Sequence, residues 1–166
     1  MKVIFLDIDG VLNLIPQGYD KYGGIFHIGF VDNLKTIIDQ TDAKIVISST
    51  WRLSGLQTMK DMWLFRNLPG EVIDITPSGY FNVDLGVSDD DYVTRGHEIR
   101  YWLKNHPEVS NYVILDDDTD FLDSQMDNFV QTSDNIDHPD CIDVGYGLTK
   151  ICTLKAINIL NNENKN

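Results

Sequence analysis

The sequence predicts an α/β fold in which a parallel sheet of about five strands is covered by helices on both faces. Short apolar runs rich in β-branched residues, without polar interruptions, are typical of strands buried on both faces. These runs alternate with segments whose apolar residues recur at helical spacing, as in proteins built on a parallel sheet. At 166 residues the chain is most simply one domain, which we expect over 1–161, followed by a disordered polar tail at 162–166.

The first part of the chain predicts two strands, a hairpin and a helix. Residues 3–6 are all apolar and form the first strand. Glycines among short aromatic segments predict a hairpin within 13–30 that covers the strand end like a flap, with Gly23–Gly24 as the candidate turn. Helical spacing then predicts a helix over 31–40, and a second apolar run predicts a strand over 43–47.

The rest of the chain repeats this alternation, with prolines marking the ends of the helices. In chain order we predict a helix over 56–68, a strand over 71–76, a polar loop over 77–91, a helix that begins near Arg95 and stops before Pro107, strands over 112–115 and 129–132, and a closing helix over 148–160.

The negative charge of the chain is concentrated in one segment. Residues 84–143 carry sixteen acidic and three basic side chains, a net charge of −13, whereas the rest of the chain carries ten of each. Such a surface repels the phosphates of nucleic acids. A nucleic-acid substrate would therefore have to be engaged elsewhere on the protein or only at an end.

The termini and the cysteines indicate a reducing, membrane-free environment. The chain opens directly into a strand, and its longest apolar run is far shorter than the roughly 18 residues of a membrane span, so we expect a cytoplasmic protein. Cys141 and Cys152 match no metal-ligand spacing and are too few for a disulfide framework, so we interpret them as ordinary thiols. No pattern indicates a protein partner.

Three of the predicted strands end in polar clusters. The clusters are Asp7 with Asp9, Ser48 with Ser49, and Asp116 with Asp117. Parallel strands present their carboxyl ends at one edge of a sheet, where open α/β proteins place their sites. Gly10 follows the first cluster, and its missing Cβ lets the backbone turn sharply and come close to a ligand.

Four converging carboxylates constrain the chemistry of this edge. They cannot all stay ionised unless a cation neutralises them or some take up protons. An all-oxygen ligand set suits Mg²⁺, which binds through one or two carboxylates plus a substrate phosphate. Aspartates also occur simply as turn formers. Two acidic clusters, each directly after a buried strand, favour the metal site.

These motifs resemble those of the haloacid dehalogenase (HAD) superfamily. The segment D-I-D-G-V-L-N at 7–13 resembles its D-x-D-G-[TV]-[LV] signature, and the segments at 45–49 and 113–117 resemble its second and fourth motifs. Shorter matches, such as I-S-S-T-W-R and I-L-D-D-D-T-D, are similar to the HAD domain of Swiss Army Knife RNA repair proteins. The resemblance implies a Rossmann-like sheet. The hairpin at 13–30 and the loop at 77–91 are both too short to be a separate cap domain.

The resemblance implies different roles for the two aspartates of the first motif. Asp7 would be the nucleophile that forms an aspartyl-phosphate, which splits one difficult displacement into two easier ones. Asp9 would protonate the leaving oxygen and then activate water. Dehalogenases of the superfamily lack this second acid and the ATP-driven pumps carry Thr there, so Asp9 favours hydrolysis of a phosphomonoester.

The resemblance also implies ligands for the metal and for the phosphoryl group. The implied Mg²⁺ ligands are Asp7, Asp117 and the backbone carbonyl of Asp9, with Asp116 acting through the water shell of the metal or exchanging roles with Asp117. Ser48 would donate a hydrogen bond to the transferring phosphoryl group, and Ser49 takes this role if the strand ends one residue later.

The third motif of the superfamily is a single basic residue that stabilises the phosphoryl oxygens. Arg95 fits it best, because it opens a predicted helix upstream of Asp116, and Arg100 is the alternative. Arg52 follows the serine cluster and either meets a substrate phosphate or forms a surface salt bridge.

The expected function is a Mg²⁺-dependent phosphatase acting on a nucleotide or on a 3′ or 5′ phosphate end of RNA or DNA. An uncapped, open site suits such bulky substrates. Tyr19, Tyr22 and Phe26 either stack on a base or pack the hairpin onto the core. A small-metabolite phosphatase and a non-catalytic phosphate-responsive module are the alternatives, although the order of acidic motifs differs from that of receiver domains.

Overall fold

The computed structural model describes residues 1–14, 16, 18–79, 92–132 and 146–162. Its strands are β1 (Lys2–Leu6), β2 (Tyr19–Asp20), β3 (Gly23–Gly24), β4 (Lys44–Ile47), β5 (Val72–Ile75), β6 (Asn111–Asp116) and β7 (Phe129–Gln131). Its helices are α1 (Ile28–Thr41), α2 (Leu56–Phe65), α3 (Arg95–Lys104) and α4 (Lys150–Asn161), with 3₁₀ helices at Thr50–Ser54 and Asp123–Asn128.

The described strands form a five-stranded parallel sheet in the order β5-β4-β1-β6-β7. At the centre, Leu6 of β1 lies beside Ile47 of β4 on one side and beside Leu115 of β6 on the other. The predicted parallel α/β sheet is therefore confirmed. Because parallel strands end at one edge, the polar residues that follow β1, β4 and β6 are neighbours.

Helices cover both faces of this sheet, as predicted. The side chains of β1 alternate between two buried clusters: Ile4 and Leu6 belong to the one that includes residues of α1, α2 and α4, whereas Val3 and Phe5 pack with Ile99 and Trp102 of α3. Every side chain from Val3 to Leu6 is fully buried. The strand that carries the candidate nucleophile is thus enclosed by the core on both sides.

Two helices differ from their predicted bounds because of local capping. The first begins earlier than predicted, at Ile28, because the His27 side chain accepts the backbone N–H of Gly29 and caps the helix. The second ends earlier than predicted, at Phe65, and the chain then turns through Asn67 in the left-handed region at φ 50°.

The predicted flap hairpin is present, but its turn lies elsewhere. Gly23–Gly24 is the second strand of the hairpin, paired antiparallel with Tyr19–Asp20, and the turn is made by Lys21 and Tyr22. The Asp20 carboxylate stabilises that turn by accepting the N–H of Tyr22 at 2.7 Å. A Cβ on Gly24 would collide with Pro16, so this glycine provides space rather than a turn.

The hairpin is attached firmly to the body of the protein. Arg66 donates two hydrogen bonds of 2.8 Å to the Asp20 carboxylate, and its guanidinium lies 4.5 Å from the centre of the Phe26 ring. Phe26 is itself buried and meets Trp51 and Trp63 edge-on. Phe26 therefore packs the hairpin onto the core.

Parts of several predictions lie outside the described residues. These are most of the 77–91 loop, nearly all of the 162–166 tail and Cys141. Cys152 is a buried free thiol in α4. Among the helices of the described ranges, none combines the length and apolar character needed to cross a membrane.

Candidate functional site

The ends of β1, β4 and β6 bring the predicted polar clusters together. Hydrogen bonds of 2.9 Å continue the sheet one residue past the strands, from Asp7 N–H to the carbonyl of Leu115 and from Ser48 N–H to the carbonyl of Leu6. Asp7 and Ser48 are thereby fixed side by side at the same edge, with Asp116 as the last residue of β6.

Asp7, Asp116 and Asp117 form a compact group, which we call the acid cluster. One carboxylate oxygen from each lies within 4.8 Å of the others. Burial raises the pKa of Asp7, although Arg95 opposes the shift. Burial together with the Asp7 charge raises the pKa of Asp116 to about 8, against the opposing effect of Arg95. Three such oxygens are a donor set that could hold a metal ion, and a divalent cation would relieve their mutual repulsion.

Arg95 is the cation that the described part of the chain supplies to this cluster. It is the first residue of α3, and its Nη1 lies 2.6 Å from Asp116 Oδ2 and 3.0 Å from Asp7 Oδ1. Burial disfavours its charge, but Asp116 and Asp7 outweigh this and raise the pKa of Arg95. The alternative, Arg100, is exposed on the same helix. Arg95 therefore remains positively charged beside the candidate nucleophile.

Gly10 brings the loop after β1 against the acid cluster. Its φ of 73° favours glycine, and a Cβ at this position would overlap the Asp117 carboxylate. Its carbonyl accepts a hydrogen bond of 2.8 Å from Thr132 Oγ1, after β7. The close approach that we expected toward a ligand is thus made toward Asp117. The anchoring role of Thr132 was not foreseen, because only the fold brings it near Gly10.

Asp9 lies outside the acid cluster, at the exposed mouth of the site. Its Oδ1 accepts Asn13 Nδ2 at 2.7 Å, and its Oδ2 accepts Trp51 Nε1 at 2.8 Å. Both donors lie within motifs predicted from the sequence, but no local signal indicated either one as a partner of Asp9. The carboxylates of the first motif therefore occupy different environments although one residue separates them.

The two serines after β4 have different partners. The Ser49 hydroxyl is hydrogen-bonded to Asp7, and its oxygen accepts the N–H of Trp51 at 3.4 Å as the cap of the 3₁₀ helix. The Ser48 oxygen accepts a hydrogen bond of 3.4 Å from Thr76 Oγ1. Both serines are fully buried. Ser49 thus contacts the candidate nucleophile in the structure, while the hydroxyl proton of Ser48 can still be donated.

Arg52 forms a salt bridge, one of the two alternatives predicted for it, but the pair is buried rather than at the surface. Its Nη2 lies 2.5 Å from Glu98 Oε2, its Nη1 donates to the carbonyl of Ser49 at 2.6 Å, and Glu98 Oε1 accepts the N–H of Gly79. Burial lowers the pKa of Arg52 and raises that of Glu98, and each partner opposes the effect on the other. The pair joins the 3₁₀ helix after β4 to the helix that carries Arg95.

An open cavity of about 330 Å³ lies beside Arg95, and we call it the Arg95 cavity. Its lining includes Arg52, Tyr92, Glu98 and Asp120. Arg52 Nε is buried without a hydrogen-bond partner among the described residues. Positive and negative side chains both line the cavity, so its surface is not uniformly positive toward an anion.

Comparison with known proteins gives one family. The family model described as "HAD domain in Swiss Army Knife RNA repair proteins" matches residues 3–136. The matched span extends from β1 through β7 and includes every residue of the acid cluster as well as Arg95 and Trp51. Comparisons with curated proteins and with solved structures found no match.

Proposed function

Because the chain belongs to the family of HAD domains found in Swiss Army Knife RNA repair proteins, we propose that it is a Mg²⁺-dependent phosphatase that acts through an aspartyl-phosphate on Asp7. One observation carries the proposal. Asp7 is held by Arg95 within the acid cluster, whereas Asp9 lies apart at the mouth with donors of its own. The two positions match the needs of a nucleophile and of a proton carrier.

In the first step an Asp7 oxygen attacks phosphorus, and the bond from phosphorus to the leaving oxygen breaks. Asp9 delivers a proton to that leaving oxygen, so an alcohol departs. Arg95 and the hydroxyl of Ser48 or Ser49 stabilise the phosphoryl oxygens during the transfer. In the second step Asp9 removes a proton from water, the water oxygen bonds to phosphorus, and the phosphorus bond to Asp7 breaks. Asp7 is regenerated as a carboxylate.

The acid cluster fits a magnesium ion by the chemistry of its donors, which are all oxygens. Asp7, Asp117 and the backbone carbonyl of Asp9 would hold the ion, with Asp116 bound directly or through water. When bound, Mg²⁺ offsets the repulsion between the Asp7 carboxylate and an anionic phosphate. Arg95 then remains available to the phosphoryl oxygens rather than to Asp116 alone.

The proposed substrate is a nucleotide or a phosphorylated end of RNA or DNA. The family is named for RNA repair proteins, and Asp9 at the mouth of the site is exposed, as a bulky leaving group requires. The excess of acid in 84–143 disfavours binding along a nucleic-acid strand. Recognition of an end avoids most of that repulsion.

The test is a substrate panel assayed with Mg²⁺ and with EDTA. The panel contains oligonucleotides with 3′ or 5′ phosphates, mononucleotides and sugar phosphates. We expect magnesium-dependent release of phosphate from oligonucleotide ends or from nucleotides. Release from sugar phosphates alone would favour a small-metabolite phosphatase. No release from any substrate would contradict the proposal and favour a non-catalytic module.

Substitutions connect the activity to the proposed residues. Asp7→Asn should abolish turnover and preserve the circular dichroism spectrum, because the nucleophilic oxygen is lost and the core is unchanged. Asp9→Asn should slow turnover by about 10² to 10⁴-fold, the usual contribution of general acid–base catalysis. Asp61→Asn, at an exposed position of α2, is the matched control. Wild-type rates in Asp7→Asn would refute the assignment of the nucleophile.

A further inference from the structure

A second open cavity, of about 410 Å³, lies between the β2–β3 hairpin and α2. We call it the hairpin cavity. Its lining includes Lys21 and Tyr22 of the turn, Trp51 of the 3₁₀ helix, and Met59 and Met62 of α2. The volume lies within the range of small-molecule sites, roughly 300 to 1,000 Å³.

We propose that the hairpin cavity binds the terminal nucleoside of a phosphorylated nucleic-acid end while the phosphate of that nucleoside lies at Asp7. This assignment rests on the proposed phosphatase function and adds a location for the leaving group. The nucleoside is the part of the substrate that departs with the leaving oxygen, so its binding site must lie on the side of the proton donor.

The position of Asp9 connects the cavity to the chemistry. A general acid must be within hydrogen-bond reach of the leaving oxygen. Asp9 is held toward Trp51 by the 2.8 Å hydrogen bond from Trp51 Nε1, and the same Trp51 is a wall of the hairpin cavity. A leaving group protonated by Asp9 therefore lies next to Trp51, which forms one wall of this cavity.

The lining of the cavity suits a base. Trp51 and Tyr22 are half-buried aromatic side chains, and aromatic faces stack on bases with little sequence preference. Met59 and Met62 are buried and form an apolar, adaptable surface. Thr50, Ser54 and Thr58 add hydroxyl groups that can hydrogen-bond to a sugar or a base edge.

The charge of the cavity suits an adjoining phosphodiester. Lys21 is its charged lining residue, and none of the described residues that line it carries a carboxylate. The Arg95 cavity differs, because Glu98 and Asp120 line it. The lining of the hairpin cavity comes from residues 21–62, outside the acidic 84–143 segment. A nucleic-acid end can thus enter without facing most of the acidic surface.

Fixed contacts within the protein hold the hairpin wall of the cavity in place. The Arg66–Asp20 pair fixes the hairpin on one side, and the Lys21 ammonium lies 4.8 Å from the Tyr22 ring centre and 4.6 Å from that of Phe65. Preformed walls lower the entropic cost of binding.

The test compares a phosphorylated oligonucleotide with phenyl phosphate, which has no nucleoside to place in the cavity. Thr58→Trp fills the cavity and should lower the ratio of the two kcat/KM values by about tenfold, because base stacking is lost. Lys21→Ala should lower the same ratio by about fivefold, and it should weaken the salt dependence of kcat/KM for the oligonucleotide. Gln57→Trp and Lys60→Ala, at exposed α2 positions outside the cavity, are matched controls and should keep the wild-type ratio.

The outcomes separate this inference from the proposed function. An unchanged ratio in both cavity variants, with active wild-type enzyme, would overturn the nucleoside site and leave the phosphatase intact. If neither substrate is hydrolysed, calorimetric binding of an unphosphorylated dinucleotide decides the matter. Binding that Thr58→Trp abolishes would support the cavity without the phosphatase. Equal binding of the dinucleotide by the wild type and Thr58→Trp, or no binding by the wild type, would overturn the proposal that the cavity is a nucleoside site.

Discussion

Asp7 and Asp9 are separated by one residue, yet their surroundings suit opposite chemical tasks. Asp7 is 6 % exposed and is held by Arg95 and Ser49, whereas Asp9 is exposed and is held by Asn13 and Trp51. A nucleophile benefits from a fixed position next to positive charge, and a proton carrier needs access to both substrate and water.

Removing the indole N–H beside Asp9 tests the positioning role of Trp51. Trp51→Phe keeps an aromatic wall but loses the 2.8 Å hydrogen bond, so we expect kcat to fall by about tenfold to a hundredfold through misplacement of Asp9. Trp63→Phe is the matched control, because it loses an indole bond to Pro69 in the core. The hypothesis fails if both variants reduce kcat equally, as measured under substrate saturation.

Among the elements, α3 connects two charged centres. Arg95 at its first turn faces the acid cluster, and Glu98 on the same helix forms the buried pair with Arg52. Because Arg52 also donates to the carbonyl of Ser49, the pair fixes the loop after β4 relative to α3. The geometry of Ser49 and Arg95 around Asp7 thus depends on a contact that lies outside the acid cluster.

The buried pair predicts a strongly non-additive mutant cycle. Glu98→Gln should lower the free energy of unfolding by about 3 to 5 kcal/mol, because it leaves the Arg52 charge buried and uncompensated. The double variant Arg52→Met/Glu98→Leu should recover much of that loss. Glu71→Gln, which weakens the solvent-screened Lys44 pair, is the control and should change stability far less than Glu98→Gln. Additive losses in urea denaturation would refute the prediction.

The hairpin anchor predicts a pH-dependent stability. The hydrogen bonds from Arg66 lower the pKa of Asp20 below its ordinary value of 3.8. A lowered folded-state pKa stabilises the fold above the unfolded value, and this contribution is lost as the pH falls through the folded value. Asp20→Asn should therefore destabilise the protein at neutral pH and become neutral in strong acid. Thermal unfolding against pH measures the difference, and Asp39→Asn is the exposed control.

At the scale of the whole molecule, the features that the sequence predicted are those that local pattern determines. Apolar runs located the three central strands, and parallel strands must present their polar ends together, so the meeting of Asp7 with Asp116 and Asp117 followed from the fold class. The position of Arg95 at the start of a helix could also be predicted from the sequence, because helix starts carry a local signal.

The missed features depend on contacts between distant segments. Trp51 reaches Asp9 across 42 positions and Glu98 reaches Arg52 across 46, and no local period reports such pairs. Gly23 and Gly24 resembled a turn because glycine favours turns, but Gly24 is required because Pro16 occupies the space of a Cβ, and Gly23 is favoured by its φ of 109°. The missed side-chain contacts and the misplaced turn at Gly24 share one cause, because each depends on a contact between segments that a local sequence pattern does not report.

The acid cluster predicts that magnesium stabilises the whole fold. Binding to the native state alone adds about 2.7 kcal/mol at a free concentration 100 times Kd, and it removes the repulsion among the three carboxylates. The midpoint of thermal unfolding should rise with MgCl₂ and return with EDTA. Asp117→Asn should abolish the response, whereas Asp118→Asn, at an exposed neighbour, should retain most of it. An equal response in both variants would contradict the cluster as the site.

The central place of β1 also matters during protein synthesis. Its partners are distant in sequence, at 44–47 on one side and 111–115 on the other. Until the later segment leaves the ribosome, one edge of a strand with four consecutive apolar residues has no hydrogen-bonding partner, and such edges promote aggregation. The same delay separates Asp7 from Asp117, so a nascent chain has Asp7 but lacks the rest of the acid cluster. The acid cluster is therefore completed when β1 gains its second partner strand.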